Sequence, residues 1–200
     1  MEIFKQETDK SCGVACLRSI FNHYGNNFSE KDIWEKNAYF GTKYRMLNPM
    51  LTLGVVALKF GFDVEYIGYH PIIVNGNKKD TLKDSLKEKS KNNFDFGKYY
   101  VDKAIEFLNL KGKITIDKLN INKIKKIIDK NHFAIVEVKP AMLGIRISLN
   151  MHHKVIIKGY NKKGFKVLDP SDAKEHLLDY ESFLLAFYAA IPEMIIINNK

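Results

Sequence analysis

Two cysteines one helical turn apart open the first amphipathic segment of this chain. In QETDKSCGVACLRSIFNHYG, residues 6–25, Cys12 stands at the head of a helical pattern and Cys16 follows four positions later. A thiol at a helix start has chemistry available to it. The unpaired amides and the dipole favour negative charge there, and the thiolate is the nucleophilic form. Cys16, one turn deeper on the side of Ile20, reads as a small core residue. A disulfide between them would be strained, because alpha carbons four apart on a helix, at ~6 Å, seldom offer the right geometry. A buried, inert thiol is the competing reading of Cys12, and partners elsewhere in the chain must decide.

Thiol hydrolysis needs a histidine as base and a third group to orient it. His153 opens one strand of a β-hairpin and Asp169 closes the next. In an antiparallel pair the start of one strand lies beside the end of the other, which brings the Asp169 carboxylate within reach of the His153 ring. His152 is adjacent and faces the opposite side, so only one of the two can address Cys12, and strand alternation by itself does not choose. His23, His70, His132 and His176 lack a comparable partner pattern. Cys12, Cys16, His152 and His153 can also be written as a zinc set, but neighbouring histidines on one strand fit the usual H-x₃₋₅-H spacing poorly. No metal or other cofactor is expected. Acyl transfer would also build an oxyanion, for which the Cys12 backbone N–H and the Gln6 side-chain amide are candidate donors.

The elements that must position these groups follow from periodicity and punctuation. Residues 11–24 form a helix stopped by Gly25, and Ser29 caps a second helix with Asp32 in its first turn. A third helix covers 51–60 and ends at Gly61, and residues 62–67 alternate as a strand. Residues 132–138 form another strand, ended by Pro140. HKVIIKGY and FKVLDP make the hairpin across NKKG, a helix spans 179–190, and EMIIIN is the last strand. Helices precede an antiparallel sheet, so the class is α+β.

The 200 residues suit a single domain spanning 1–200, and 46% hydrophobic content supplies a core without staples. Residues 78–131 differ in texture: fifteen lysines stand against eight acidic residues, giving +7 of the net +9. They read as a lysine-rich helical insertion, with helices near 99–108 and 122–129 and a short strand near 113–116, whose wet face would suit an acidic partner. With only three arginines and no clustered aromatics, the excess charge argues against nucleic-acid binding. No run of 18 apolar residues exists to span a membrane, and the N-terminus lacks the apolar core of a signal peptide. A reducing cytoplasm is therefore the expected location.

The segments Gln6–Leu17 (Q-x₅-C-G-x-x-C-L), His153–Tyr160 (H-x-V-x-I-x-G-Y) and Leu168–Pro170 (L-D-P) together resemble the C39-type cysteine peptidases of the papain-like superfamily. The resemblance covers roughly 1–70 and 130–198, and not the lysine-rich middle. It implies a papain-like fold with an N-terminal nucleophile helix packed on an antiparallel sheet. It further implies Cys12 as nucleophile, His153 rather than His152 as base, Asp169 as orienting group and Gln6 as oxyanion donor. Peptide or protein would be the substrate. Many relatives carry Asp just before the nucleophile, where this chain has Ser11. The best-understood relatives are domains of peptide-exporting transporters, and neither a membrane segment nor a Walker-type loop occurs here, so the transporter's substrate does not carry over. Transfer to a non-water acceptor, cleavage of a non-peptide amide, and a silent peptide-binding module remain the alternatives. The insertion is a candidate lid over the cleft.

Overall fold

Seven strands form one sheet in the order β2-β1-β7-β3-β4-β5-β6 in the computed structural model, which describes residues 1–36, 49–68, 95–130, 132–143 and 152–199. The helices α1 (Cys12–His23), α2 (Glu30–Lys36) and α3 (Met50–Lys59) precede strand β1 (Asp63–Gly68). Helix α4 (Asp95–Asn109), strand β2 (Lys113–Ile116) and helix α5 (Ile121–Ile128) follow. The chain then runs through β3 (Phe133–Val138), a 3-10 turn (Pro140–Leu143), β4 (His153–Tyr160), β5 (Gly164–Asp169) and β6 (Lys174–Asp179). Helix α6 (Tyr180–Ala189) and strand β7 (Glu193–Asn198) complete it.

The expected α+β architecture is the observed one, and two details go beyond the expectation. The sheet is antiparallel except at one edge, where β2 pairs parallel with β1 through Glu65–Lys113 to Gly68–Ile116. The short strand expected near 113–116 in the lysine-rich middle is β2, flanked by the expected helices; residues 78–94 and 131 lie outside the described residues. Strand β6 was not anticipated. Its side chains are exposed or half-buried, with charge at Lys174, Glu175 and Asp179, so its sequence carries little of the apolar signal that marks a strand.

Alternation along each strand divides the core between two faces. Val64, Tyr66, Ile135, Ile156, Leu168, Ile195 and Ile197 point to the side covered by α1, α3 and α4. Ala134, Val136, Val155, Ile157, Val167, Met194 and Ile196 point to the side where α5 and α6 supply Ile124, Ile128, Phe183 and Phe187. Strands β3, β4 and β7 are therefore buried on both faces, which explains their near-continuous apolar runs.

Helix α1 ends as its sequence dictates. Gly25 takes φ +84°, and the Asn26 N–H reaches back to the Phe21 carbonyl at 2.9 Å, closing the helix with a glycine in the left-handed region. Phe21 stacks on Phe62 with centroids 4.5 Å apart, tying this helix to the entry of β1.

At the turn end of the β4–β5 hairpin, Gly164 pairs with Asp179 of β6 so closely that an added Cβ would lie 1.9 Å from the Leu178 carbonyl oxygen. Backbone cannot yield there as a side chain does. Gly164→Ala is expected to cost about 2–4 kcal/mol in urea unfolding through local strand separation. An unchanged midpoint would mean that β6 is not held against β5 in solution.

Candidate active site

Helix α1 presents Cys12 as its first residue, and the approach to it is pinned on several sides. The Gln6 N–H donates to the Pro170 carbonyl at 2.8 Å, the Glu7 N–H to the buried Glu30 carboxylate at 3.1 Å, and the Thr8 N–H to Ser11 Oγ at 3.0 Å. Ser11 occupies the N-cap but makes no side-chain cap bond; its hydroxyl donates to the Thr8 carbonyl instead. The first amides of the helix are thus left uncapped by Ser11 on the side where Cys12 sits.

The β4–β5 register supplies the partners. Ile156 pairs with Leu168, so one step further Val155 stands opposite Asp169, with His153 diagonal to it on the same side. His153 Nε2 donates to Asp169 Oδ1 at 2.7 Å. Asp169 Oδ1 also accepts from the Ser171 N–H at 2.7 Å, while Oδ2 is buried without a hydrogen-bond partner among the described residues. Cys12 is the ring's other electrostatic partner: each raises or lowers the other's proton affinity toward the charged pair. A residue near the start of the chain and two from a hairpin near its end are thereby brought together around one imidazole ring.

The electrostatics favour charge separation along that chain. Burial pushes the Cys12 thiol up, but the His153 hydrogen bond, then the charge of Lys154, then that of His153, and last the Lys154 backbone N–H hold it below its ordinary value. Burial disfavours a charged His153, yet its bonds to Asp169 and Cys12 raise it to about 9. Burial likewise works against the Asp169 carboxylate, and the His153 bond outweighs it, lowering Asp169 to about 2. Cys16 differs: burial, with Cys12 and Asp169 nearby, pushes its thiol well up, and its Sγ–H donates to the Lys154 carbonyl at 3.5 Å.

These shifts fix the sign of a stability profile. Asp169 falls from its ordinary carboxylate value in the folded state, so its contribution is present above about pH 4 and is lost as pH drops toward about 2. His153 is raised, so its contribution is full below about pH 6.5 and is lost as pH rises through about 9. The pair is one interaction seen from two ends, worth about 3 kcal/mol. Urea unfolding of the wild type should weaken toward both limits, and Asp169→Asn should flatten the alkaline limb. An alkaline limb as steep in the variant would place the proton elsewhere.

His152 and Gln6 behave differently from the other candidates. His152 Nδ1 bonds the Glu137 carboxylate, and of the two neighbouring rings it is His153 that acts on the Cys12 thiol. Cys16 and His152 are thus engaged by other groups, and the four residues of the zinc alternative do not converge. Gln6 Nε2 donates to the Thr8 carbonyl at 2.8 Å, and its Oε1 is buried without a partner among the described residues. Among the described residues, Asp169, Asp172 and His176 have ligand atoms within 4.8 Å of one another, but His176 Nε2 already bonds Asp172 Oδ2 at 2.9 Å and Asp169 is committed to His153.

Sequence reasoning passed over the charged residues packed beneath α1. Lys154 Nζ donates to Glu137 Oε2 at 2.6 Å, and Tyr66 and Tyr100 hydroxyls donate to Glu193 Oε2 at 2.9 and 2.7 Å. Lys154 is held well above its ordinary value: burial opposes its charge, and Glu137, then Cys12, prevail. The available signal was a charged residue inside an apolar run buried on both faces, as in AIVEV, HKVII and EMIII.

The solved structures carry the same architecture. The peptidase domain of Streptococcus ComA, a bi-functional ABC transporter involved in a quorum sensing pathway, superposes with TM-score 0.54 at 16% identity, over 100% of this chain and 98% of that one. A protein described as a C39-like peptidase from Bacillus anthracis gives TM-score 0.58 at 12% identity, over 98% of this chain and 94% of that one. No curated protein matches the sequence. No helix among the described residues is long and apolar enough to cross a membrane. The fold is thus that of the papain-like C39 peptidase domains, and with a family model matching residues 1–192, the chain belongs to the Peptidase_C39 like family.

Proposed function

We propose that this protein is a cysteine peptidase that hydrolyses peptide bonds through Cys12, with His153 as base and acid, Asp169 as its orienting carboxylate and Gln6 as an oxyanion donor. The observation that carries this reading is the buried 2.7 Å His153–Asp169 hydrogen bond, on a ring that also holds the Cys12 thiol below its ordinary value. The thiolate attacks the scissile carbonyl, forming a C–S bond and an oxyanion. The Cys12 backbone N–H and the Gln6 amide face that charge. Gln6 Nε2 carries two hydrogens; one goes to the Thr8 carbonyl, which leaves the second for the oxyanion. Collapse of the adduct expels the amine, protonated by His153, and leaves a thioester. His153 then takes a proton from water, which attacks the thioester and frees the acid and the thiolate.

The charge distribution gives a rate profile. The reactive pair is thiolate with imidazolium, so turnover should rise as the lowered Cys12 thiol ionises and fall as His153 deprotonates near pH 9. The test is a pool of internally quenched peptides followed by mass spectrometry, before and after one equivalent of iodoacetamide. Cleavage that disappears in proportion to Cys12 alkylation is expected. If Cys12 labels no faster than Cys16 and no peptide is cut, the reading fails and the site is a binding surface.

A further inference from the structure

Lys154 is 5% exposed, and so is Glu137; Glu193 is 2% exposed. The register sets them in one row across the sheet. Glu137 pairs with Lys154 between β3 and β4, and Val136 pairs with Met194, so Glu193 of β7 falls opposite Glu137. All three point to the α1 face, by the alternation that sends Ile135, Ile156 and Ile195 there.

A buried ion pair is poor value as a stabiliser, because desolvation consumes most of the attraction and well-packed apolar residues do as well. Its place in the fold suggests a different use. The Lys154 stem lies directly under the first turn of α1: a Cβ on Gly13 would come within 2.9 Å of Lys154 Cδ. The Lys154 carbonyl accepts from Cys16 Sγ–H at 3.5 Å, which ties its backbone to the first turns of α1. Cys12 as thiolate, Asp169 and Glu137 are three buried anions, and His153 and Lys154 are the cations among them. His152, on β4, also bonds Glu137. Glu193 is driven toward its neutral form by burial, with Glu137 adding to the effect, and accepts from Tyr66 of β1 and Tyr100 of α4.

We propose that Lys154, held in place by Glu137, is a positioning residue that supplies a second, substrate-independent cation beneath the nucleophile and so keeps Cys12 ionised when the site is empty. The inference rests on reading Cys12 as the nucleophile. His153 alone would have to sustain the thiolate in a water-poor site, and its charge is spent when it protonates the leaving amine. Lys154 stays charged through the whole cycle, because the Glu137 carboxylate bonded to its Nζ at 2.6 Å favours the ammonium.

The experiment measures Cys12 alkylation against pH by mass spectrometry in wild type, Lys154→Met, Lys154→Met/Glu137→Gln and, as a control on the same strand, Lys158→Met. Lys158 is an exposed residue paired with Glu175. Lys154→Met should raise the midpoint by about one unit, with about tenfold slower labelling on the acid limb, and Lys158→Met should leave it in place. Lys154→Met strands the Glu137 carboxylate in the interior and puts folding at risk, whereas the double variant removes both partners and should still show the raised midpoint. Cys16 reports on structural loosening: it should stay unlabelled in every variant if the effect is one of charge. A midpoint unmoved in the folded variants, or a shift that occurs only together with Cys16 labelling, overturns the proposal. The readout does not depend on peptide turnover. A raised midpoint in a protein that cleaves nothing would remove the peptidase reading and leave this one standing.

Discussion

Cys12→Ala is expected to reduce peptide cleavage by about 10⁴–10⁶-fold, to the level of whatever binding and oxyanion donation provide without a nucleophile. The substitution removes one sulfur from the start of α1 and leaves the buried face of that helix, from Val14 to Phe21, untouched. Folding should therefore survive, and circular dichroism and urea unfolding should be close to wild type. His153 loses one of the partners that raise it, so its titration, followed by NMR of the ring protons, should move down from about 9. Residual cleavage within tenfold of wild type, in protein verified by mass spectrometry, would assign the chemistry to another group. Cys16 is no substitute, since burial pushes its thiol well up and its Sγ–H is bonded to the Lys154 carbonyl.

His153→Ala is expected to cost about 10²–10⁴-fold in turnover through loss of the proton carrier, and also to abolish rapid low-pH alkylation of Cys12. This variant has a stability problem that Cys12→Ala avoids. Asp169 is fully buried, and without His153 its carboxylate is left, among the described residues, with Ser171 as its hydrogen-bond partner, so about 3 kcal/mol of destabilisation follows. The double variant His153→Ala/Asp169→Asn neutralises the stranded charge and should recover much of that loss while remaining inactive. Recovery of stability without recovery of rate separates the chemical role of the ring from its structural one. If the single variant retains wild-type alkylation below pH 7, Lys154 or the helix terminus supplies the whole effect. His152→Ala should leave turnover within severalfold of wild type, because that ring is bonded to Glu137.

Much of this site could be read from the chain because its parts are local devices. A cysteine at the start of an amphipathic segment meets a helix terminus wherever that segment packs. A histidine and an aspartate at opposite ends of a short hairpin are brought together by register alone, as the 2.7 Å His153–Asp169 bond records. Glycine stops at Gly25 and Gly61 and the cap at Ser29 are equally local, and the corresponding helix boundaries fell where they were expected. Strand alternation separates His152 from His153 but does not choose between them: His152 shares the α1 parity of Lys154 and Ile156, and His153, the first residue of β4, is nevertheless the ring that acts on Cys12.

Only the tertiary structure decided the rest, and each case has the same physical origin: a contact between segments whose sequences carry no mark of each other. The parallel pairing of β2 with β1 joins residues 113–116 to 65–68 across α4, and neither strand's pattern encodes its neighbour. The charges of Lys154, Glu137 and Glu193 are tolerable in the interior only because three strands from distant parts of the chain set them side by side, with Tyr66 and Tyr100 donating to the row's end. Gln6 is fixed by the Pro170 carbonyl, and its amide is directed by Thr8. The sequence determined which groups could do thiol chemistry and the elements that carry them; packing determined what lies beneath the thiol, because burial and Coulombic neighbours are properties of the assembled layers and not of any one segment.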